Sequence, residues 1–136
     1  ARTRLLKILN EEDSLMEIVK LIGADVLPDS QRLIIEIARV IRVGFLQQNA
    51  MHPVDTYMPL DLQYKLMELI LYLYDRVSAI VARAIPISQV VRTGVFDLPI
   101  KIKYEVSNQE IFDQTKAEID SRLNQIEDEN AESRSL

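Results

Sequence analysis

The stretch Gly44-Phe45-Leu46-Gln47-Gln48-Asn49-Ala50-Met51-His52-Pro53-Val54-Asp55 holds most of what could do chemistry in this chain. It brings together an aromatic ring, three consecutive amide side chains and the only histidine. Amides make poor core material, because each must satisfy both donors and acceptors when buried. Two readings fit them. In one, Gln47, Gln48 and Asn49 tie down the loop after a helix through side-chain to backbone hydrogen bonds. In the other, an aromatic ring and several amides at a helix end form half of a pocket for a flat, polar ligand. His52 stands alone, without a second histidine at metal-binding spacing or a supporting nucleophile motif, and reads as a surface or packing residue.

The remaining polar groups offer little catalytic chemistry. The sequence has no glycine-rich phosphate loop, and its lack of cysteine excludes disulfides and thiolate metal sites. Glu11, Glu12 and Asp13 read as a solvated helix face. No catalytic residue and no metal site is assigned. On these residues alone the segment is not an enzyme.

Charge narrows the partners. The net charge is −5, and all of it falls between Asn108 and Leu136, where eight acids face three bases. A neutral body with an acidic end lacks the basic face a nucleic-acid binder needs. No apolar run is long enough to span a bilayer, so direct membrane insertion is not expected.

These side chains must be positioned by helices, since 48% of residues are hydrophobic while there are only 3 Gly and 5 Pro. The fold class expected is all-α, a bundle of four to five helices over 1–128 with a frayed or disordered tail over 129–136. The spacing predicts a first helix from Arg2 to Ile22. Leu5, Ile8, Leu9, Leu15, Ile18, Val19 and Ile22 form its stripe, and Gly23 ends it. Nothing caps its start, which predicts a longer polypeptide upstream. Pro28 and Asp29 open a second helix reaching about Gln48, with Leu33, Ile34, Ile37, Ala38, Ile41 and Phe45 buried. A loop from Asn49 to Pro59 should follow. A third helix over 60–84 is apolar on nearly every side and belongs at the centre. Pro86 stops it, and a short helix covers Ile87 to Arg92. Ile100, Ile102 and Tyr104 alternate with charged residues, so a short extended arm is expected before the last helix. That helix should run from Asn108 to Asp128 on Ile111, Phe112, Ile119, Leu123 and Ile126.

The segment LLKILNEEDSLMEIVKLIGADVLPDSQRLIIEIARVIRVGFLQQNAMHPVDTY, from Leu5 to Tyr57, resembles the start of the C-terminal helical domain of the catalytic A subunit of archaeal A-type ATP synthases and V-type ATPases. The pieces LPDSQRL, FLQQNA and VDTY carry the resemblance most specifically. Beyond Pro86 the sequence is only compatible with that family. The resemblance implies a parent subunit that makes or hydrolyses ATP with Mg, using a phosphate loop, a Lys and a general-base Glu upstream. This segment alone should need no cofactor and have no activity. It also implies an adenine-side pocket formed by Phe45, Gln48, Ala50 and Met51, and a turn of Asp25, Val26, Leu27, Pro28, Asp29, Ser30 and Gln31 facing the rotor. Partners would be the non-catalytic B subunits of a hexameric head and the central rotor stalk, at the cytoplasmic face of a membrane.

This chain departs from the family at Gly44, where an acid is common, and at Met51, where an aromatic is common. Met can still lie flat on a ring. With only Asp25 and Asp29 at the turn, a steric lever built on Leu27 and Pro28 is expected rather than a push by charge. The other reading, from a different class, is a free-standing helical adaptor that binds a partner helix. A metal-binding four-helix bundle lacks its Glu-x-x-His ligands.

Overall fold

Long apolar stripes at helical spacing have to be covered by one another, and that need sets the architecture. A computed structural model describes residues 1–50, 60–102 and 109–135, with the side chains of 46–50, 60, 109 and 133–135 left aside. Five helices account for it: α1 (Arg2–Ile22), α2 (Asp29–Ala50), α3 (Leu60–Ala82), α4 (Ile87–Arg92) and α5 (Gln109–Ser135). Two 3-10 turns, Ala24–Val26 and Val95–Asp97, link them. The all-α bundle expected from composition is the fold observed, with no strand among the described residues. No described helix is long and apolar enough to cross a membrane.

The α3 helix is the hub, as its all-round apolar character requires. Leu62, Leu66, Leu69, Ile70, Leu71, Leu73, Val77 and Ile80 are all buried. On one side they meet Leu33, Ile37, Val40 and Ile41 of α2, and on the other Phe112, Ile119, Leu123 and Ile126 of α5. The α1 helix packs chiefly on α2. Past Ala82, Ala84 takes a left-handed φ of 65°, and Pro86 then forbids a return to the same helix.

The α5 helix is pinned to α3 by polar groups flanking its apolar stripe. Arg76 donates from Nη1 to Glu127 at 2.9 Å and from Nη2 to Asn124 at 3.0 Å. The Tyr72 hydroxyl donates to Asp120, and the Lys116 ammonium sits 4.4 Å from the Tyr72 ring centroid. Burial and the Asp120 hydrogen bond both push the Tyr72 phenol upward from its ordinary value. The acids that make this end of the chain negative are thus partly spent on its own arginines.

Two expectations need correcting. The segment before the last helix is not extended where it is described. Thr93 folds back on the end of α4, its hydroxyl donating to the Val90 carbonyl at 2.6 Å and accepting from the Val95 amide at 3.2 Å. Gly94 then takes φ 75°, which a side chain would resist. Val95 and Phe96 are buried, and the Lys101 amide closes a turn on the Asp97 carbonyl. The alternation at Ile100 and Ile102 is therefore one of turns, and Tyr104 lies outside the described residues. Second, α5 continues past Asp128 to Ser135. Asn130 holds that extension down, donating to the Gln89 side chain at 3.0 Å and the Ile126 carbonyl at 2.8 Å.

Candidate functional site

The α1–α2 hairpin carries every residue singled out above except those at its downstream end. Its tip begins where Gly23, at φ 90°, ends α1 by donating its amide to the Val19 carbonyl at 2.9 Å. The 3-10 turn of Ala24–Val26 follows, and α2 starts as the Arg32 amide reaches the Pro28 carbonyl at 3.0 Å. Of the seven tip residues named from the sequence, Asp25, Val26, Pro28, Ser30 and Gln31 are exposed. Leu27 is not, at 7% exposure. It is an anchor plugged into the core, so it cannot form the outer half of a knuckle with Pro28. Asp29 is also turned inward: its Oδ2 accepts the Ile87 amide at 3.0 Å, capping α4 from a distant part of the chain.

Beside these polar residues the tip exposes large apolar side chains, most of them on α1. Leu21 is 84% exposed, Ile22 64% and Val26 56%. The stripe expected from spacing includes Ile18 and Ile22 and leaves Leu21 unassigned. The signal was available in that same spacing. Leu5, Ile8, Leu15 and Val19 share one face, whereas Leu21 falls on the opposite side and Ile18 on its flank.

Halfway down the hairpin the apolar contact between α1 and α2 is interrupted by an ion pair. Glu12 is the one buried charged residue among those described, and both its carboxylate oxygens accept from Arg42 Nη1. Arg42 Nη2 lies 3.6 Å from Asp13. The hydrogen bond it donates to Glu12 raises the Arg42 guanidinium above its ordinary value, against the opposing effect of burial. Glu11 and Asp13 are exposed as expected, but Glu12 is not part of a solvated face. Its spacing gives the reason: Ile8, Glu12 and Leu15 are four and three residues apart and share the face that meets α2.

One turn beyond Arg42 comes Phe45, half-buried and packed on the core. Gly44 beside it is buried against α3, where an added Cβ would meet Leu66 at an ordinary 3.9 Å. Close approach therefore does not demand glycine there. The α2 helix continues through Gln47 and Gln48, as expected, and on through Asn49 to Ala50, so Asn49 lies on helix and not in the loop expected to start there. Gln tolerates helix well, so the amides do not end it. The side chains of Gln48 and Ala50, and Met51 and His52 entirely, lie outside what is described.

The structure does not bring the two predicted sites together. It holds them at opposite ends of α2, about 24 Å apart by helix rise between Asp29 and Phe45. Neither lines the groove of about 610 Å³ between α1, α3 and α5, where Arg4, Tyr64, Lys65, Tyr72, Phe112 and Lys116 meet. Among the described residues no three His, Cys, Asp or Glu side chains cluster to hold a metal ion.

Known proteins share this sequence. The family described as the C-terminal domain of V and A type ATP synthase matches residues 1–90. A V-type ATP synthase alpha chain 2 of Clostridium tetani is 52% identical over 110 residues, which cover 81% of this chain and 19% of that one. A V-type ATP synthase alpha chain of Halothermothrix orenii is 42% identical over 127 residues, covering 92% and 22%. The A subunit of an A-type ATP synthase of Methanosarcina barkeri is 39% identical over 122 residues, covering 90% and 21%. The chain spans about a fifth of the length of these relatives. The hairpin tip, the Glu12–Arg42 pair and Phe45 all fall inside the matched residues, and the chain belongs to the family of V- and A-type ATP synthase C-terminal domains.

Proposed function

We propose that this chain is the C-terminal domain of the catalytic subunit of a rotary ATP synthase or ATPase, and that its α1–α2 hairpin links a rotor-facing tip to the adenine side of a nucleotide site. The observation that carries this reading is the single unbroken run of α2. One end is the exposed apolar tip; the other is Phe45, half-buried on the core with part of its surface open. An aromatic face against a purine is worth roughly 1–3 kcal/mol and tolerates several orientations. Gln48, Ala50 and Met51 would complete the wall. The nucleotide, with its Mg, would be held mainly by the rest of the subunit. The isolated chain should bind it weakly and hydrolyse none.

The tip would meet the rotor through Leu21, Ile22, Val26 and Pro28 rather than through its acids, since these apolar side chains are exposed while Asp29 is bonded to the Ile87 amide and Asp25 is left as the one outward acid of the turn. The non-catalytic subunits of the head would be lateral neighbours, and the assembly would sit on the cytoplasmic face of its membrane. Membership of the synthase family favours this over a free-standing adaptor.

The test is Phe45→Ala in the assembled complex containing the full-length subunit. KM for ATP should rise more than kcat falls, because the ring supplies binding common to ground and transition states. An unchanged KM would take Phe45 out of the pocket.

A further inference from the structure

We propose that Glu12 and Arg42 are a positioning pair for the nucleotide-facing end of α2: their ion pair fixes the register of α1 on α2 one turn before Phe45, so that displacement of α1 is delivered to that ring. The proposal rests on the adenine-pocket reading above and names how that site would be controlled.

The rest of the hairpin contact is limited in what it can do. Leu5, Ile8, Leu15 and Val19 of α1 meet α2 through apolar surface. Apolar burial is non-directional: it holds two helices at a distance but resists sliding or rolling only through side-chain shape. A charged N–H group is directional: Arg42 Nη1 donates to both oxygens of the Glu12 carboxylate while Nη2 faces Asp13, so the guanidinium plane as well as the separation is set. Arg42 also reaches Asp13 at 3.6 Å, so two successive α1 residues hold it. An axial shift of α1 must carry Arg42 along or break the pair.

Stability alone gives little reason for a carboxylate here. Position 12 is only 7% exposed and lies on a face otherwise made of Leu and Ile. Glu12 is buried while the Arg42 side chain is 48% exposed, so the pair carries the desolvation cost of a buried carboxylate against an attraction that solvent screens. What the pair adds is register. Its location suits that use. Arg42 and Phe45 are three residues apart, neighbours on one helix face. Glu12 lies about 15 Å of helix rise from the end of α1 at Ile22, so the pair is remote from the tip and close to the ring.

The experiment uses the full-length subunit in its assembled complex, with KM and kcat for ATP hydrolysis and Kd for ADP from equilibrium titration. Glu12→Gln keeps the shape and a hydrogen-bond acceptor but loses the charge. It should raise KM and the ADP Kd together by a factor of about 3 to 10, the usual size of one coupling between contacting groups. Its effect on kcat should be smaller. Because the pair acts through the ring, Glu12→Gln combined with Phe45→Ala should be no worse than Phe45→Ala alone. Arg42→Lys retains the charge but loses the second nitrogen that faces Asp13, and should move both constants the same way by less; it carries the test if Glu12→Gln fails to assemble. Multiplying effects in the double variant would overturn the proposal, as would a fall in kcat at unchanged KM and Kd. If Phe45→Ala raises KM while neither pair variant does, the pair is a structural tie and the pocket stands. If Phe45→Ala changes nothing, the pocket reading falls and the pair has nothing to position.

Discussion

Replacing Asp29 with alanine tests whether the hairpin tip is fastened to the rest of the bundle. The carboxylate does two things. Its Oδ2 accepts the Ile87 amide at 3.0 Å, and it places a negative charge in the first turn of α2. Pro86 precedes α4 and supplies no side-chain cap, so Asp29 satisfies one of that helix's free amides. Losing a cap of this kind costs about 0.5–2 kcal/mol, and losing a first-turn charge about 0.3–1 kcal/mol. Asp29→Ala should therefore destabilise the chain by about 1–2.5 kcal/mol. With an unfolding entropy of about 2.1 cal/mol/K per residue over 136 residues, that is a fall of about 3–9 °C in Tm. Asp29→Asn keeps an acceptor and loses the charge, so only the smaller contribution, about 1–3 °C, should go. Thermal unfolding followed by far-UV circular dichroism measures both, and amide exchange at Ile87 should quicken in the alanine variant first. Equal losses in the two variants would mean that the bond to α4 contributes nothing. A loss below about 0.5 kcal/mol for Asp29→Ala, the least that a lost cap costs, would refute the anchoring of the tip altogether.

The α5 helix and the tip surface can be tested in the same way. Glu127 accepts from Arg83 and Arg76, whose hydrogen bonds hold its carboxyl below the ordinary value despite partial burial. A depressed folded value stabilises above the unfolded value and fades as pH falls through the folded one. The Tm advantage of the native chain over Glu127→Gln should thus be full at neutral pH and shrink as the medium is acidified below the ordinary carboxylate range; an advantage that persists at the lowest pH would exclude the ion pairs as its source. At the tip, Leu21→Ser with Val26→Ser touches residues that are 84% and 56% exposed. Stability should change by no more than about 0.5 kcal/mol per site, while ATP-driven rotation in the assembled complex should lose torque. Unimpaired torque would remove these residues from the rotor contact.

How far the sequence is legible depends on whether a feature is local. The end of α1 and the start of α4 are where the spacing predicts them, because Gly23 and Pro86 act on their own backbone. The central place of α3 follows from its composition, since a helix apolar all round has nowhere else to go. Glu12 reads as a surface acid because its partner is 30 residues away and three acids in a row look wet. Leu27 reads as part of an exposed knuckle because a tight connection gives no period from which to deduce direction. The segment before the last helix reads as an extended arm on three alternating residues, too short a sample once Gly94 and the Thr93 hydroxyl have bent the chain. The last residues of α5 look too polar to order, but Asn130 meets Gln89, a contact no pattern within α5 announces. On the proposed site, the helical state of Phe45, Gln47 and Gln48 is legible from the spacing; that of Asn49 and Ala50 is not, because nothing in their types distinguishes a last helical turn from the loop expected there.

If the tip is pushed, the geometry limits where the displacement can go. Leu27 is plugged into the core and Asp29 is bonded to α4, so the turn cannot fold away without exposing apolar surface and stranding an amide. Along the hairpin α2 is backed by α3, whose facing side chains are close to fully buried, and a packed interior resists gradual compression. What is left is movement of α1 relative to α2 about its start, where Arg4 donates to Asp75 of α3 at 2.6 Å, since the outer face of α1 is largely exposed. That movement meets the Glu12–Arg42 pair before it reaches the end of α2. A load at the tip therefore either moves the hairpin as one body or is turned at the pair into a shift of the last turns of α2, where Phe45 sits. On the proposed reading, both outcomes would carry rotor position to the adenine side of the site without any deformation of the core, which is the property a repeating mechanical cycle needs.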